Sequence, residues 1–73
     1  MAKACILIKT VPWVTDKILE RIVKMSGVWK AYAAYGRWDI VAFIDAPTEQ
    51  IGKISANINV IDGVRSTETL PQA

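Results

Sequence analysis

Residues 40–44, IVAFI, decide the fold of this 73-residue chain, because they are the second copy of an apolar pattern. The first copy is residues 4–8, ACILI, and each of its apolar residues is matched by an apolar residue 36 positions later. After each copy, isoleucines recur at helical spacing and a Gly-Val pair follows, at Gly27 and at Gly63. Each half is therefore predicted to form a strand, a helix and a strand.

The predicted element order is βαββαβ, an α+β fold of the ferredoxin-like kind, with a four-stranded antiparallel sheet and two helices on one face. The first helix is predicted from Thr15 or Asp16, either of which can cap its free amides, to Met25. The second begins near Pro47 and ends before Gly63. The strands are predicted at 3–9, 28–35, 39–45 and 64–70, with a short hairpin at 36–38.

The length and composition indicate one domain, residues 1–73, whose core alone gives only marginal stability. So small a chain is marginally stable alone, and small domains use disulfides, metals or oligomerisation. Cys5 is the only cysteine and there is no histidine, so an internal disulfide and a His-containing metal cluster are excluded. Oligomerisation remains as the predicted source of additional stability.

The same composition predicts a location and excludes some partners. No apolar stretch is long enough to span a bilayer and no signal-type segment begins the chain, so we expect a cytoplasmic protein without membrane contact. In that compartment Cys5 is expected to be reduced and to lie in the core. The net charge of +2 comes without a basic stripe, so direct binding to nucleic acid is not expected.

The two central strands predict a homodimer. Residues 4–8 and 40–44 are apolar at every position, so both faces of the sheet require burial, whereas two helices cover one face. Leaving the other face in water would forgo several kcal/mol, at about 25 cal/mol per Å² of apolar surface. We therefore expect two sheets packed face to face, a dimeric α/β barrel. The alternative is a monomer that tolerates a hydrophobic sheet face.

Two segments resemble a known family. Residues 36–41, GRWDIV, and residues 63–70, GVRSTETL, are similar to motifs of the Lrp/AsnC regulators, in their C-terminal effector domain, the RAM domain. The resemblance runs from Ala2 to about Leu70. Typical members carry a helix-turn-helix DNA-binding domain before this point. The chain starts at its first strand and so resembles a stand-alone RAM domain, which argues against direct transcription-factor activity.

The resemblance implies a regulatory role and a set of partners. Members of the family form face-to-face dimers, often joined into octamers or other rings, with a small effector, usually an amino acid, between dimers. The chain is accordingly expected to bind an amino acid or a similar small molecule. It is also expected to modulate transcription through full-length Lrp/AsnC relatives.

Four candidate ligand-binding residues are Gly36, Asp39, Thr67 and Thr69. Asp39 is the natural partner for the ammonium of an amino acid, and its alternative role is to anchor the hairpin by accepting turn amides. Gly36 allows backbone amides to approach a ligand, or is simply a turn glycine. Thr67 and Thr69 share one face of the last strand, so their hydroxyls can hold a ligand carboxylate or merely favour a strand.

The remaining candidates are Arg37 and Trp38. Arg37 can pair with a carboxylate of the ligand or of a neighbouring subunit, or serve solubility at the hairpin tip. Trp38 can wall an apolar side chain. We interpret Trp13, Trp29 and Trp38 first as contacts within the assembly, because tryptophan is enriched at interfaces.

No pattern in the sequence predicts a catalytic residue, a metal ligand set or a cofactor. Without histidine there is no His-based triad, and there is no glycine-rich phosphate loop. Two alternatives to an amino-acid-binding module remain. One is an oligomerisation module without a ligand, and the other is a small dimeric α/β-barrel enzyme of the monooxygenase-like kind, which the shared architecture permits.

Overall fold

The computed structural model describes residues 2–72 and shows the predicted ferredoxin-like fold within them. The elements are β1 (Ala2–Thr10), α1 (Thr15–Val23), β2 (Val28–Ala33), β3 (Ile40–Ala46), α2 (Thr48–Asn59) and β4 (Val64–Pro71), with a 3-10 turn over Pro12–Val14. A single antiparallel sheet has the order β2-β3-β1-β4, and two helices pack on one of its faces. The order of the sheet places the two apolar strands, β1 and β3, at its centre.

The core lies between the sheet and the helices and consists almost entirely of isoleucine and alanine. Burial alternates strictly along β1 and β3, as the period of a strand requires. The helices contribute isoleucines at helical spacing. The two copies of the sequence pattern therefore each supply one half of a single core. The buried apolar residues are Ala4, Ile6, Ile8, Ile18, Ile22, Ile40, Ala42, Ile44, Ala46, Ile51, Ile54, Ile58 and Ile61.

Gly27 and Gly63 lock the two halves together. Both have positive φ, 92° and 99°, as predicted for the residue that ends a helix. A Cβ on Gly27 would lie 2.6 Å from Cδ1 of Ile54 on α2, and one on Gly63 would lie 3.1 Å from Cδ1 of Ile18 on α1. Ile18 and Ile54 occupy equivalent positions of the repeat. Each glycine therefore gives the other half's helix room to pack closely.

Several boundaries differ from the predictions. Neither Thr15 nor Asp16 caps α1, whose N-cap is Val14 with no side-chain hydrogen bond, because the hydroxyl of Thr15 bonds to Thr10 and to the carbonyl of Pro12. The helices end at Val23 and Asn59, earlier than predicted. The connection between β2 and β3 is residues 34–39, longer than the predicted hairpin.

The prediction that Cys5 lies in the core is wrong. Cys5 alternates with the buried residues of β1 and so lies half-buried on the opposite side of the sheet. Burial nevertheless raises the pKa of its thiol above the ordinary value.

No helix within residues 2–72 covers the second side of the sheet, which we call the open face. Phe43 lies at its centre, with the ring centroid of Trp29 at 5.7 Å and that of Tyr32 at 6.0 Å. Trp29 and Tyr32 remain 62% and 43% exposed. The apolar residues of the open face are Cys5, Leu7, Trp29, Tyr32, Val41, Phe43 and Leu70. In the same described part of the chain, no helix has the length and apolar character needed to cross a membrane.

The packing of the glycines predicts opposite effects for two alanine substitutions. Gly63→Ala should lower the free energy of unfolding by about 2 kcal/mol or more, because it combines a positive φ with a clash against Cγ2 of Val14, only 2.6 Å from the added Cβ, and a tight contact with Ile18 on α1. Gly52→Ala, on an exposed position of α2 with open space around it, should raise it by about 0.5–1 kcal/mol. Urea denaturation measures both, and equal effects of the two variants would contradict the proposed locking of the halves.

Candidate functional site

The loop between β2 and β3 is closed at its base by the backbone of Asp39. The N–H of Ala34 donates to the carbonyl of Asp39 at 2.8 Å, and the N–H of Asp39 donates to the carbonyl of Ile8 at 2.9 Å. Gly36 has the predicted unusual backbone, with φ at 138°, and no atom within 4 Å of where its Cβ would be. The loop thus ends in an acidic residue fixed to both β2 and β1.

The carboxylate of Asp39 is held by the end of β1. Oδ2 accepts the N–H of Thr10 at 2.9 Å, and Nζ of Lys9 lies 3.9 Å from the same oxygen. This geometry depends on the β-bulge between Lys9 and Thr10, which shifts the pairing of β1 with β4. The side chain of Asp39 is still 28% exposed. It therefore anchors β1 and also presents charge to the surface.

Asp39 lines a cavity of about 310 Å³ at this end of the molecule. One wall is the start of α1, with Thr15 and Asp16, and the other is the end of β2. Tyr35, whose side chain is fully exposed, stands at the loop. The lining residues are Pro12, Thr15, Asp16, Ala33, Ala34, Tyr35 and Asp39. Two acidic residues, a threonine and a tyrosine are thus among the lining residues, a composition that suits a small ligand carrying a positive charge.

Arg37 and Trp38 lie on the same loop as Asp39 but are not among the residues that line this cavity. Arg37 is exposed, and its carbonyl accepts Nζ of Lys9 at 3.3 Å. Trp38 is half-buried, whereas Trp13, next in sequence to the lining residue Pro12, is 81% exposed. The loop therefore carries an exposed cation and a half-buried indole next in sequence to Asp39.

The two threonines of β4 do not join this group within one chain. Thr69 shares a hydrogen bond of 2.7 Å with the hydroxyl of Ser55 on α2, and Thr67 donates to Oδ1 of Asn59 at 3.4 Å. Thr67 pairs with Ile8 from the β4 side of β1, whereas Asp39 bonds to Ile8 from the β3 side. Strand β1 therefore lies between the two residues. Both hydroxyls are engaged with α2.

The sequence did not single out Thr15, Asp16 or Tyr35 for this site. Thr15 and Asp16 were predicted only as candidate caps of the first helix, and Tyr35 was predicted as the last residue of the second strand. Their meeting with Asp39 depends on the bulge in β1, which no residue type signals. Among residues 2–72, no group of three or more His, Cys, Asp or Glu side chains is arranged to hold a metal ion.

The bond to Thr10 predicts a structural role for Asp39. Asp39→Ala should lower the free energy of unfolding by about 1–3 kcal/mol, because it leaves the amide of Thr10, a residue only 2% exposed, without an acceptor. Asp39→Asn keeps an acceptor and should cost less. Thermal denaturation measures both, with the exposed Asp62→Ala as the control, expected within about 0.5 kcal/mol of the parent. Equal stability of Asp39→Ala and the parent would contradict this role.

Comparison with known proteins identifies structural relatives. No protein-family model matches the chain. No curated protein matches it either. Among solved structures it is similar to TTHA0845 from Thermus thermophilus, with a TM-score of 0.94 and 27% identity over 100% of this chain and 94% of that one.

Regulators of transcription are among the solved structures with this fold. E. coli AsnC matches with a TM-score of 0.85 and 23% identity, over 97% of this chain and 50% of AsnC. An AsnC family transcriptional regulator from Agrobacterium tumefaciens matches with a TM-score of 0.80 and 11% identity, over 97% of this chain and 49% of that one. The chain thus spans about half the length of these regulators. Its structural relatives include AsnC/Lrp family regulators, and it has the fold of one half of E. coli AsnC.

Proposed function

We propose that this protein is a regulatory domain that binds a small metabolite, an amino acid, beside Asp39 and assembles through its open face. The observation that carries the proposal is the cavity beside Asp39, at the end of a fold shared with half of AsnC. The proposed compartment is the cytoplasm. The proposed partners are further copies of the chain, in dimers and rings of dimers such as octamers, and full-length Lrp/AsnC regulators.

The ligand would be held first through its ammonium. Asp39 Oδ2 already accepts the amide of Thr10, and the carboxylate is still partly exposed, so it has capacity for a further charged donor. Asp16, on α1, adds negative charge to the same cavity. Gly36, Arg37 and Trp38 would contribute from the adjoining loop, with Arg37 available to the ligand carboxylate. Thr67 and Thr69 would take part only from a second copy, since their own hydroxyls are engaged with α2.

The open face would be covered by a second copy of the chain. Its apolar residues are half-buried or exposed on the side of the sheet that α1 and α2 cannot reach. A depression of about 250 Å³ lies among Cys5, Trp29, Phe43 and Leu70, which offers a second copy's side chain a place to insert. Burying a large apolar side chain contributes about 1.5–3 kcal/mol. A few such contacts add up to the stability of a small domain.

Titration calorimetry and thermal denaturation with each common amino acid test the ligand. We expect one of them to release or absorb heat on binding and to raise the melting temperature at millimolar concentration. Ligand at about 100 times Kd stabilises by about 2.7 kcal/mol, which corresponds to a shift of roughly 10–20 °C in a domain of this size. No heat and no shift for any amino acid would contradict the proposal.

The matched variant for this test is Asp39→Asn. It keeps an acceptor for Thr10 but loses the negative charge, so we expect it to fold and to lose the ligand-dependent shift. Asp62→Asn removes the same charge from an exposed position outside the cavity and should keep the shift. Equal responses of the two variants would place the ligand elsewhere.

A second candidate function is an oligomerisation module without a ligand. The bond from Thr10 to Asp39 favours it, because this bond gives the carboxylate a structural purpose of its own. In that case no amino acid binds, and Asp39→Ala loses stability and assembly together. The solved relatives named above as regulators do not favour a third interpretation as a small barrel enzyme.

Cys5 provides a direct probe of the open face. It is the only cysteine, and it lies between Phe43 and Leu70 in the register of the sheet. We expect its alkylation by iodoacetamide to slow as the protein concentration rises, because a second copy covers it. Leu7→Glu should abolish this dependence by placing a charge in the interface. Alkylation at one rate over all concentrations of the parent would contradict the dimer.

The pH dependence of the same reaction follows from the raised pKa of the Cys5 thiol. The thiolate is the nucleophile, so we expect the rate to rise at a higher pH than for a free thiol. Because the folded chain favours the neutral thiol, its contribution to stability is present below the ordinary thiol pKa. That contribution is lost as the pH rises through the raised value. A rate profile matching that of a free cysteine peptide would contradict this burial.

A further inference from the structure

The open face carries charged residues at both ends of its central strands. Lys3 on β1 lies directly opposite Asp45 on β3, and Lys9 lies at the other end of β1 beside Asp39. Within residues 2–72, the contact of Lys9 with Asp39 is the only ion pair shorter than 4.0 Å. The Asp45 carboxylate therefore has no cationic partner in the part of the chain that the structure describes.

Asp45 is also poorly satisfied by hydrogen bonds. Its Oδ1 is buried and has no hydrogen-bond partner among residues 2–72, although its backbone N–H donates to the carbonyl of Gly27 at 2.9 Å. A carboxylate oxygen that has lost water without gaining a donor is unfavourable. Such a group gains more from a nearby cation than a fully hydrated surface carboxylate does.

Two copies can stack their open faces about a two-fold axis in two aligned ways. If the axis runs along the strands, β1 of one copy lies over β3 of the other, and Asp45 then faces Lys3 of the second copy. If the axis runs across the strands, each strand lies over its own counterpart with its ends exchanged. Lys3 then faces Lys9, and Asp45 faces Asp39.

In the second arrangement neither Lys3 nor Asp45 gains an opposite charge, because Lys3 faces Lys9 and Asp45 faces Asp39. Lys9 and Asp39 already lie within 3.9 Å of each other in one chain. The first arrangement opposes unlike charges and also places Phe43 over Cys5 of the second copy, within the apolar centre. We propose that the chain dimerises with β1 over β3 of the second copy, so that Asp45 of each chain pairs with Lys3 of the other. This inference rests on the proposed function, in which the open face is the assembly surface.

Charge reversal in separate chains tests this pairing. Lys3→Asp alone places two carboxylates opposite each other across the interface, and Asp45→Lys alone places two ammonium groups there. Each homodimer should therefore dissociate about tenfold more readily than the parent dimer. When the two variants are mixed, a chain carrying K3D meets a chain carrying D45K with two favourable pairs. Native mass spectrometry should show the mixed dimer well above the half expected of random pairing.

The mixing experiment distinguishes an ion pair of Lys3 with Asp45 between two chains from the same ion pair within one chain. In each variant the neighbours on β1 and β3 of the same chain carry like charges, so an intrachain interaction gives no preference for the mixed dimer. Lys53→Asp mixed with Asp62→Lys is the control, since it changes the net charges equally at exposed positions of the helical side. This control pair should associate at random.

The outcomes distinguish this inference from the proposed function. Preferential mixed dimers for the open-face variants, with random pairing in the control, support the pairing of Lys3 with Asp45. Random pairing of both mixtures, with a dimeric parent, overturns the pairing while the open face stays the assembly surface. A parent that is monomeric at every concentration overturns both.

Discussion

The structure depends on one constraint, which is that its central strand is apolar on both sides. β1 pairs with β3 on one side and with β4 on the other, and its residues alternate between the core and the open face. The helices of the chain bury the face that carries Ile6 and Ile8. The opposite face of the strand, which carries Cys5 and Leu7, receives no such cover from residues 2–72. The fold, the expected dimer and the position of the charged ends all follow from this asymmetry.

The helical side is stabilised by the near-symmetry of the two halves. Gly27 leaves room for the helix of the second half, and Gly63 leaves room for the helix of the first half. The close packing of each half therefore depends on a glycine in the other. Isoleucine dominates the core because it suits both a strand and a tightly packed helix face. The same β-branched character disfavours helix, in agreement with α2 ending at Asn59 while Ile58 and Ile61 stay buried.

Much of the fold could be predicted because it depends on periodicity. The repeat of residues 4–8 in residues 40–44 predicted the sheet, and the spacing of isoleucines predicted both helices. Gly27 and Gly63 were recognised because positive φ favours glycine. Cys5 was misplaced because a strand that is apolar at every position gives no indication of which side faces the helices. That choice is made by tertiary packing.

The candidate site was predicted less completely. A turn at residues 36–38 was predicted correctly, but Asp39 was predicted as the first residue of a strand and lies instead at the end of a loop over residues 34–39. The surroundings of Asp39 depend on a bulge at Lys9 and on the hydroxyl of Thr15 turning away from its helix, and neither has a signal in the sequence. The prediction that Thr67 holds a ligand carboxylate assumed that its hydroxyl has no partner within the chain. The hydroxyls of α2 and β4 satisfy one another instead, as at Ser55 and Thr69.

Asp39 connects the fold with the candidate site, since it fixes β1 to the β2–β3 loop and lines the cavity beside it. Both roles depend on a stable sheet, and therefore on what covers the open face. Sedimentation equilibrium of the unmodified chain at micromolar concentration tests that point most directly. If a second copy covers the open face, the measured species has twice the 8.1 kDa chain mass, or a multiple of that dimer. A single 8.1 kDa species at every concentration would contradict this dimer.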